Sequence, residues 1–193
     1  METRKGKSPQ LGQQGVKTMR VMVGIDESDE SFSALRWTLH NVCAAADGEE
    51  DEHGFRRITL TLVHVHQPFH LYYVPAGPGG TVSTAFYIPA SVEESIKKGQ
   101  EHISKALLGR ASDLCKDKKN VEVETLIFEG DPKEKICRAT QEMHVDLLVV
   151  GHRNLGKIKR AFLGSVSDYC AHHANCPVLI VKPPKEAGGE RPG

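Results

Sequence analysis

Apolar positions along the chain alternate between a period typical of strands and a period typical of helices. Short apolar runs predict five strands, which cover residues 20–26, 58–66, 121–128, 145–150 and 177–182. Between them, apolar residues at helical spacing predict four helices, which begin near Ser28, Ser91, Asp131 and Ser165. Strands that alternate with helices are typical of βαβ units, so this pattern predicts an α/β domain with a mostly parallel sheet.

Two of the predicted helices begin with recognisable capping signals. Ser91 and Glu94 have the spacing of a capping box, so we expect the second helix to open there. Its apolar residues share one helical face and are expected to be buried: Ile96, Ile103, Leu107 and Leu114. Asp131, Pro132 and Glu134 predict the third helix, with an N-cap, a proline in the first turn and an acid at the third position.

Polar and irregular segments divide the chain into one domain and two tails. Residues 1–18 are rich in Lys, Gly and Gln, and we expect a disordered tail there. Residues 183–193 are expected to form a second tail, which leaves 19–182 as the folded domain. Prolines and glycines in residues 67–90 predict a long irregular loop, of the kind that serves as a functional lid or is simply mobile.

Charge and length narrow the classes of function. The chain has 193 residues with 25 acidic and 25 basic side chains and a pI near 7.1, which argues against coating nucleic acid or an anionic membrane by bulk charge. No apolar run approaches a membrane span, and residues 1–17 lack the apolar core of a secretory signal. The five cysteines are scattered, so we expect reduced thiols that act as small apolar residues in the cytoplasm, with the nucleus left open.

The segment between the fourth strand and the last helix carries the candidate chemistry. Residues 151–165 read GHRNLGKIKRAFLGS, with three glycines before Ser165, four cations and no acid. Glycines let backbone amides approach a ligand closely, and a helix N-terminus favours an anion. The segment is therefore either a phosphate site or a solvated basic loop with ordinary turn glycines. It is not a P-loop, because GxxxxGK[ST] does not occur in the sequence.

At this point the sequence resembles the universal stress protein family, in its plant-type, ATP-binding-motif subgroup. Gly151 and the pair Gly164–Ser165 stand 13 positions apart, as in the family's glycine motif. The stretches VGIDESDES, LVHV and SVSDYCAHHANCPVLIVK are similar to the family's first strand, second strand and C-terminal part, so the resemblance covers about residues 19–182. It implies an open five-stranded parallel sheet with helices on both faces, Rossmann-like as in adenine nucleotide alpha hydrolases, with strand order 3-2-1-4-5.

The resemblance also implies a nucleotide site. Its residues, carried over where the motifs match, are Gly24, Asp26, Val65, Val150, Gly151, Arg153, Asn154, Gly164, Ser165 and Val166. Gly24 and Asp26 would lie beside base and ribose, and Val65 would meet the adenine edge. The phosphates would bind at the start of the last helix. One departure is Asn154, which stands where the family has its second glycine; Asn tolerates positive φ better than other non-glycine residues.

Two residue groups keep alternative interpretations. Asp26 either accepts a hydrogen bond from ribose and helps to hold Mg²⁺ through water, or caps the following helix in competition with Ser28. His64 and His66 share one strand face, and with His70 they suggest a metal site. Because no matched Cys or carboxylate spacing accompanies them, we interpret them as hydrogen-bonded strand histidines.

The leading hypothesis is an ATP- or AMP-binding stress protein that acts as a sensor or switch. By resemblance it would form a homodimer through the fifth strand, with Mg²⁺ as an optional cofactor and with protein partners unknown. A second hypothesis is a slow ATP hydrolase that uses Asp26 and Arg153. A third is a nucleotide-free, chaperone-like interaction module. None of the three involves nucleic acid or a membrane.

Overall fold

A computed structural model of the chain describes residues 17–44, 55–68, 89–152 and 164–183. The predicted tails and the loop 67–90 fall almost wholly outside these ranges, so the proposed boundaries of the domain stay predictions. Arg153 and Asn154 also lie outside the described residues. Within the described ranges, no helix combines the length and apolar character that crossing a membrane requires.

In the described ranges, nine elements alternate strictly between strand and helix, as the apolar pattern predicts. They are β1 Lys17–Gly24, α1 Asp29–Asn41, β2 Phe55–His66, α2 Ala90–Asp113, β3 Val121–Glu129, α3 Pro132–Glu142, β4 Leu147–Gly151, α4 Ser165–His173 and β5 Val178–Val181. Element ends differ from the predicted ones by up to about four residues, which is where helix and strand boundaries are least determined by local sequence.

The five strands form one parallel sheet in the order β3-β2-β1-β4-β5, which confirms the predicted fold class. β1 occupies the centre and pairs with β2 on one side and β4 on the other, with Val23 level with Leu62 and Val149. Strand order therefore reverses between β1 and β4. In an open α/β sheet, such a reversal leaves a crevice outside the carboxyl ends of the strands.

Apolar side chains cover both faces of the sheet and form two separate cores. On one face, α1 and α2 pack against the sheet; the cluster includes Leu35, Leu60, Leu62, Leu108 and Val149. On the other face, α3 and α4 contribute to a second cluster, which includes Met22, Val63, Ile136, Leu148 and Cys170. A sheet buried on both faces explains why β4 and β5 read as nearly continuous apolar runs.

The start of α2 differs from the prediction. The N-cap is Pro89, and Ser91 lies inside the first turn, where its carbonyl accepts a hydrogen bond from the Ser95 hydroxyl at 2.8 Å. The Glu94 carboxylate pairs with the Lys98 ammonium at 2.8 Å and so does not reach back to cap the helix. The predicted capping box is therefore wrong, because Glu94, which would have capped the helix, forms an i,i+4 ion pair instead.

The buried face of α2 also differs. The residues that meet the sheet are Ser104, Leu107, Leu108 and Ala111, whereas Ile103 is 59% exposed and Leu114 is 38% exposed. Ser104 can be buried because its hydroxyl donates to the Gln100 carbonyl at 2.9 Å. A pattern that counts apolar residues alone misses small and hydroxyl residues of this kind.

The start of α3 agrees with the prediction. The Asp131 carboxylate caps the helix by accepting from the Lys133 N–H at 3.1 Å, Pro132 is the first helical residue, and Glu134 lies in the first turn. These features place the helix N-terminus beside the carboxyl end of β2, where the Gly130 N–H donates to the His66 carbonyl at 3.0 Å.

Gly151, the last residue of β4, packs tightly against the backbone of α1. A Cβ built on Gly151 would lie 2.6 Å from the carbonyl carbon and oxygen of Glu30, and both are backbone atoms that a rotamer change cannot move. The absence of a side chain thus lets β4 approach the first turn of α1.

We expect Gly151→Ala to lower the free energy of unfolding by about 1–3 kcal/mol, since the added methyl overpacks the contact with Glu30. The matched control is Gly109→Ala in α2, where a Cβ meets nothing within 4 Å. That substitution should raise stability by about 0.5–1 kcal/mol, because Ala is the better helix former. Urea denaturation of both variants measures the difference; an unchanged midpoint for Gly151→Ala would show that the contact is not tight.

Candidate functional site

A cavity of about 340 Å³ opens at the carboxyl ends of β1, β2 and β4. The sequence nominates ten residues for a nucleotide site. Eight of them line this cavity: Gly24, Asp26, Val65, Val150, Gly151, Gly164, Ser165 and Val166. The other two, Arg153 and Asn154, are outside the part of the chain that the structure describes. Residues separated by as many as 142 positions therefore share one cavity, at the place where strand order reverses.

Asp26 holds the turn between β1 and α1. Its carboxylate oxygen Oδ1 accepts a hydrogen bond from the Ser28 N–H at 3.0 Å and another, short one from the Ser28 hydroxyl. Ser28 is the N-cap of α1, and its hydroxyl oxygen accepts a hydrogen bond from the Ser31 N–H at 3.3 Å. Of the two predicted capping candidates, Ser28 is therefore the cap. Asp26 fixes that cap and presents its half-buried carboxylate to the cavity.

The β2 wall ties this turn to the sheet. His64 is buried, and its ring nitrogen Nδ1 lies 2.8 Å from the Ile25 carbonyl oxygen. Ile25 in turn donates its N–H to the Val63 carbonyl at 2.8 Å. His64 is thus a hydrogen-bonded strand histidine, as predicted, whereas His66 Nδ1 is buried without a hydrogen-bond partner among the described residues. His70 lies outside them.

The start of α4 offers backbone donors to the cavity. Gly164 is its N-cap and has no side chain to accept from the first N–H groups. The amides of Ser165, Val166 and Ser167 belong to the first turn, so they have no partner within the helix. All three residues line the cavity. Their N–H groups, which have no partner within the helix, and the helix dipole make this end of the cavity electropositive.

The two ends of the cavity have opposite electrostatic character. Asp26 and Glu27 bring carboxylates to the end next to α1, and the described lining contains neither Lys nor Arg. The lining also includes apolar side chains from three elements: Val65, Ile136 and Val150. A ligand that matches this lining carries hydrogen-bond donors, an apolar surface and an anionic group.

Several lining residues are absent from the nominated ones, and Ile136 and Ser31 are two of them. Ile136 lies on α3 and looks in the sequence like any core position of an amphipathic helix, although it lines the cavity. Ser31 is buried, and its hydroxyl lies 3.2 Å from the Asp26 N–H and 2.9 Å from the Asp26 carbonyl. No sequence motif distinguishes such a serine from any other in the first turn of a helix.

Comparison with known proteins identifies the family. A sequence model of the universal stress protein family matches residues 17–182. The universal stress protein YxiE of Bacillus subtilis is 29% identical over 84% of this chain and 98% of its own length. A Thermus aquaticus universal stress protein is 30% identical over 84% of this chain and 97% of its own length.

Plant relatives are longer than the matched region. The universal stress protein PHOS34 of Arabidopsis thaliana is 27% identical over 90% of this chain, and the match spans 65% of that protein. The match to the Arabidopsis universal stress protein A-like protein is 46% identical but covers 31% of this chain and 34% of that protein.

Solved structures share the fold. Universal stress protein UspA from Lactobacillus plantarum superposes with a TM-score of 0.61 at 19% identity, over 84% of this chain and 97% of its own. An Arabidopsis thaliana family protein with AMP bound gives a TM-score of 0.55 at 24% identity, over 89% and 97% of the two chains. A universal stress protein in complex with cAMP gives a TM-score of 0.53 at 24% identity, over 85% of this chain and 96% of its own. With the family match over 17–182, the conclusion is that this chain belongs to the universal stress protein family.

Proposed function

We propose that this chain binds an adenine nucleotide, AMP or ATP, and acts as a nucleotide-dependent sensor or switch in a stress response. The observation that carries the proposal is one cavity that joins the Asp26 carboxylate to the first-turn amides of Ser165 and Val166. An adenine nucleotide has a flat ring system with a donor amine, a ribose with donor hydroxyls and an anionic phosphate, and the cavity lining offers a match to each of the three.

Each wall has a role in this proposal. The backbone of Val65 meets the edge of the base, and Asp26 accepts a hydrogen bond from ribose. Val150 and Gly151 flank the sugar. The first-turn amides and the hydroxyl of Ser165 bind phosphate, and glycine at position 164 lets the phosphate approach the helix closely. Arg153 and Asn154 are proposed to complete the turn over the ligand.

Two structural neighbours support the choice of ligand. One was solved with AMP bound and the other in complex with cAMP, which are both adenine nucleotides with a single phosphate. We propose that any Mg²⁺ arrives with a nucleotide that carries more phosphates. Among the residues that the structure describes, no group of three or more His, Cys, Asp or Glu side chains converges as a metal site.

A switch is a better match to this cavity than a hydrolase. Phosphoryl transfer requires a group that orients water and cations that stabilise the transferring charge. Asp26, the acid nominated for hydrolysis, already accepts hydrogen bonds from Ser28. A switch requires only that nucleotide bind one conformation more tightly than another, without a group that orients water and without cations that stabilise transferring charge. A nucleotide-free module is the outcome if AMP does not bind below millimolar concentration in equilibrium dialysis.

We propose that the surface whose interactions respond to bound nucleotide includes the edge of the sheet at β5. β5 pairs with β4 on one side, and in the described sheet its other side has no neighbouring strand. Its residues Val178 to Ile180 are half-buried. An apolar edge strand requires covering, and a second copy of the chain supplies an identical edge. We expect this homodimer to act in the cytoplasm.

Ser165→Glu tests the phosphate end. A carboxylate at the first position of α4 suits the helix dipole, so we expect the thermal midpoint to stay the same or rise slightly. The same charge repels phosphate, and AMP affinity should fall at least about tenfold, or 1.4 kcal/mol. Ser165→Gln, of equal length but uncharged, should lose less affinity. Isothermal titration calorimetry measures both; equal losses in the two variants would contradict an anion site.

Asp26→Asn tests the ribose end. The amide oxygen can still accept from the Ser28 N–H, so we expect the turn to remain. A neutral acceptor bonds more weakly than a carboxylate, and AMP should bind about fivefold less tightly. Asp29→Asn is the control, since this acid lies in the first turn of α1 outside the cavity lining. Unchanged or tighter binding by Asp26→Asn would place the base and ribose elsewhere.

Analytical ultracentrifugation tests the dimer. We expect a species at twice the chain mass of 21.2 kDa at micromolar concentration. Leu179→Lys, which puts a charge into the proposed apolar interface, should shift the population toward the single chain. Wild-type protein that sediments only at the mass of one chain would reject the β5 interface.

A further inference from the structure

Three of the five cysteines come together where α3 and α4 pack on one face of the sheet. Cys137 lies on α3 and Cys170 on α4, 33 positions apart, and their Sγ atoms are in hydrogen-bond contact at 3.5 Å. Cys176 packs against the same core cluster, whereas Cys43 and Cys115 belong to the cluster on the opposite face. The contact therefore joins two helices that are distant in sequence.

The third thiol of this group, Cys176, is half-buried. Burial raises the pKa of its thiol, against hydrogen bonds with the Thr140 side chain and the Leu148 backbone that lower it. Among the described residues, the three sulfur atoms do not belong to a group that could hold a metal ion. The arrangement is thus a pair of thiols in contact with a neighbouring third thiol.

The two thiols of the pair differ in burial. Cys137 is half-buried, whereas Cys170 is fully buried. Burial, and next the contact with Cys137, raise the pKa of the Cys170 thiol far above its usual range. Oxidants arrive from water, so the less buried Cys137 is the thiol that meets one first.

We propose that Cys137 and Cys170 form a reversible disulfide when the protein meets hydrogen peroxide, and that this bond weakens nucleotide binding. The Cys137 thiolate attacks one peroxide oxygen, the O–O bond breaks, and the departing oxygen leaves as water after protonation. Cys137 is then a sulfenic acid. The Cys170 sulfur attacks the Cys137 sulfur, the S–O bond breaks, and a second water leaves with the Cys170 proton. The two sulfurs lose two electrons and the peroxide gains them.

The bond requires a small movement of the two helices. A disulfide has an S–S distance of about 2.05 Å, so the sulfurs must approach by roughly 1.5 Å from their contact distance. Side-chain rotation supplies part of this approach and the packed helices supply the rest. No other residue has to leave the space between the sulfur atoms, because they already touch.

The same helices form a wall of the nucleotide cavity. Ile136, which directly precedes Cys137, lines the cavity from α3. Ser167 lines it from α4 and lies one helical turn before Cys170. Drawing α3 and α4 together narrows the cavity between these residues, so the oxidised protein should bind nucleotide less tightly. This coupling rests on the proposed function, whereas formation of the disulfide does not.

Mass spectrometry tests the disulfide. Fully reduced protein is treated with hydrogen peroxide at a slight excess, its remaining thiols are alkylated, and it is digested without reductant. We expect a mass loss of about 2 Da for one disulfide, a linked peptide that contains Cys137 and Cys170, and full reversal by dithiothreitol. Cys176→Ser should retain the link, and Cys137→Ser should abolish it. Cys170→Ala, which places no polar group in the core, provides a second variant that should lose the link.

Two results would overturn the disulfide. One is irreversible oxidation of Cys137 without a linked peptide, and the other is a link that joins a different pair in wild-type protein. The thermal midpoint gives a second readout of the disulfide, independent of mass spectrometry. The link closes a loop of 33 positions, and we expect it to raise the thermal midpoint by about 5–10 °C. An unchanged midpoint after complete linkage would mean that the two helices are not constrained by it.

Calorimetry with AMP tests the coupling. We expect oxidised protein to bind AMP at least threefold more weakly than reduced protein, with reversal by dithiothreitol and no response in Cys137→Ser. Equal affinities before and after linkage would overturn the coupling. Absence of AMP binding in both states would overturn the proposed function and the coupling together, and the mass result would still decide the disulfide.

Discussion

The parallel pairing of β1 with both β2 and β4 is the constraint on which the rest of the structure depends. Because the chain crosses from β1 to β2 in one direction and later places β4 on the opposite side, α1 and α3 lie on different faces of the sheet. The ends of β1 and β4 are then left open toward solvent between two helices. Gly151 makes that junction tight, since its missing side chain lets β4 meet the backbone of Glu30. Both ends of the proposed ligand site follow from this junction.

The fold was largely predictable because the two apolar periods are independent of tertiary detail. The strict alternation of strands and helices determines a parallel sheet, and the family resemblance supplies its order. Local capping was less certain: Asp131 and Pro132 predict the start of α3 correctly, whereas Ser91 and Glu94 fail for α2. The difference is physical. Pro at the first helical position fixes the backbone, but a glutamate can pair with a lysine one turn later instead of reaching back.

The site was predictable where a residue type has a reason to occur at a strand end or a helix start. Asp26, Gly151, Gly164 and Ser165 have such reasons, and the structure brings them to one cavity. Ile136 and the thiol pair were not predictable in the same way. The sequence predicts that the cysteines act as small apolar residues, and it gives no sign that Cys170 meets another thiol. The contact that matters in the structure runs to Cys137 on α3, and packing between distant helices leaves no signal in one sequence.

The proposed nucleotide site and the thiol pair share α4: its first turn has the amides that we propose to bind phosphate, and Cys170 follows in the same helix. Amide NMR spectra of the protein titrated with AMP, and in parallel with adenosine, test the proposed nucleotide site most directly. Phosphate bound by the first turn should shift the Ser165, Val166 and Ser167 amides with AMP much more than with adenosine. Equal shifts with the two ligands at these amides, or no shift at millimolar AMP, would contradict the account.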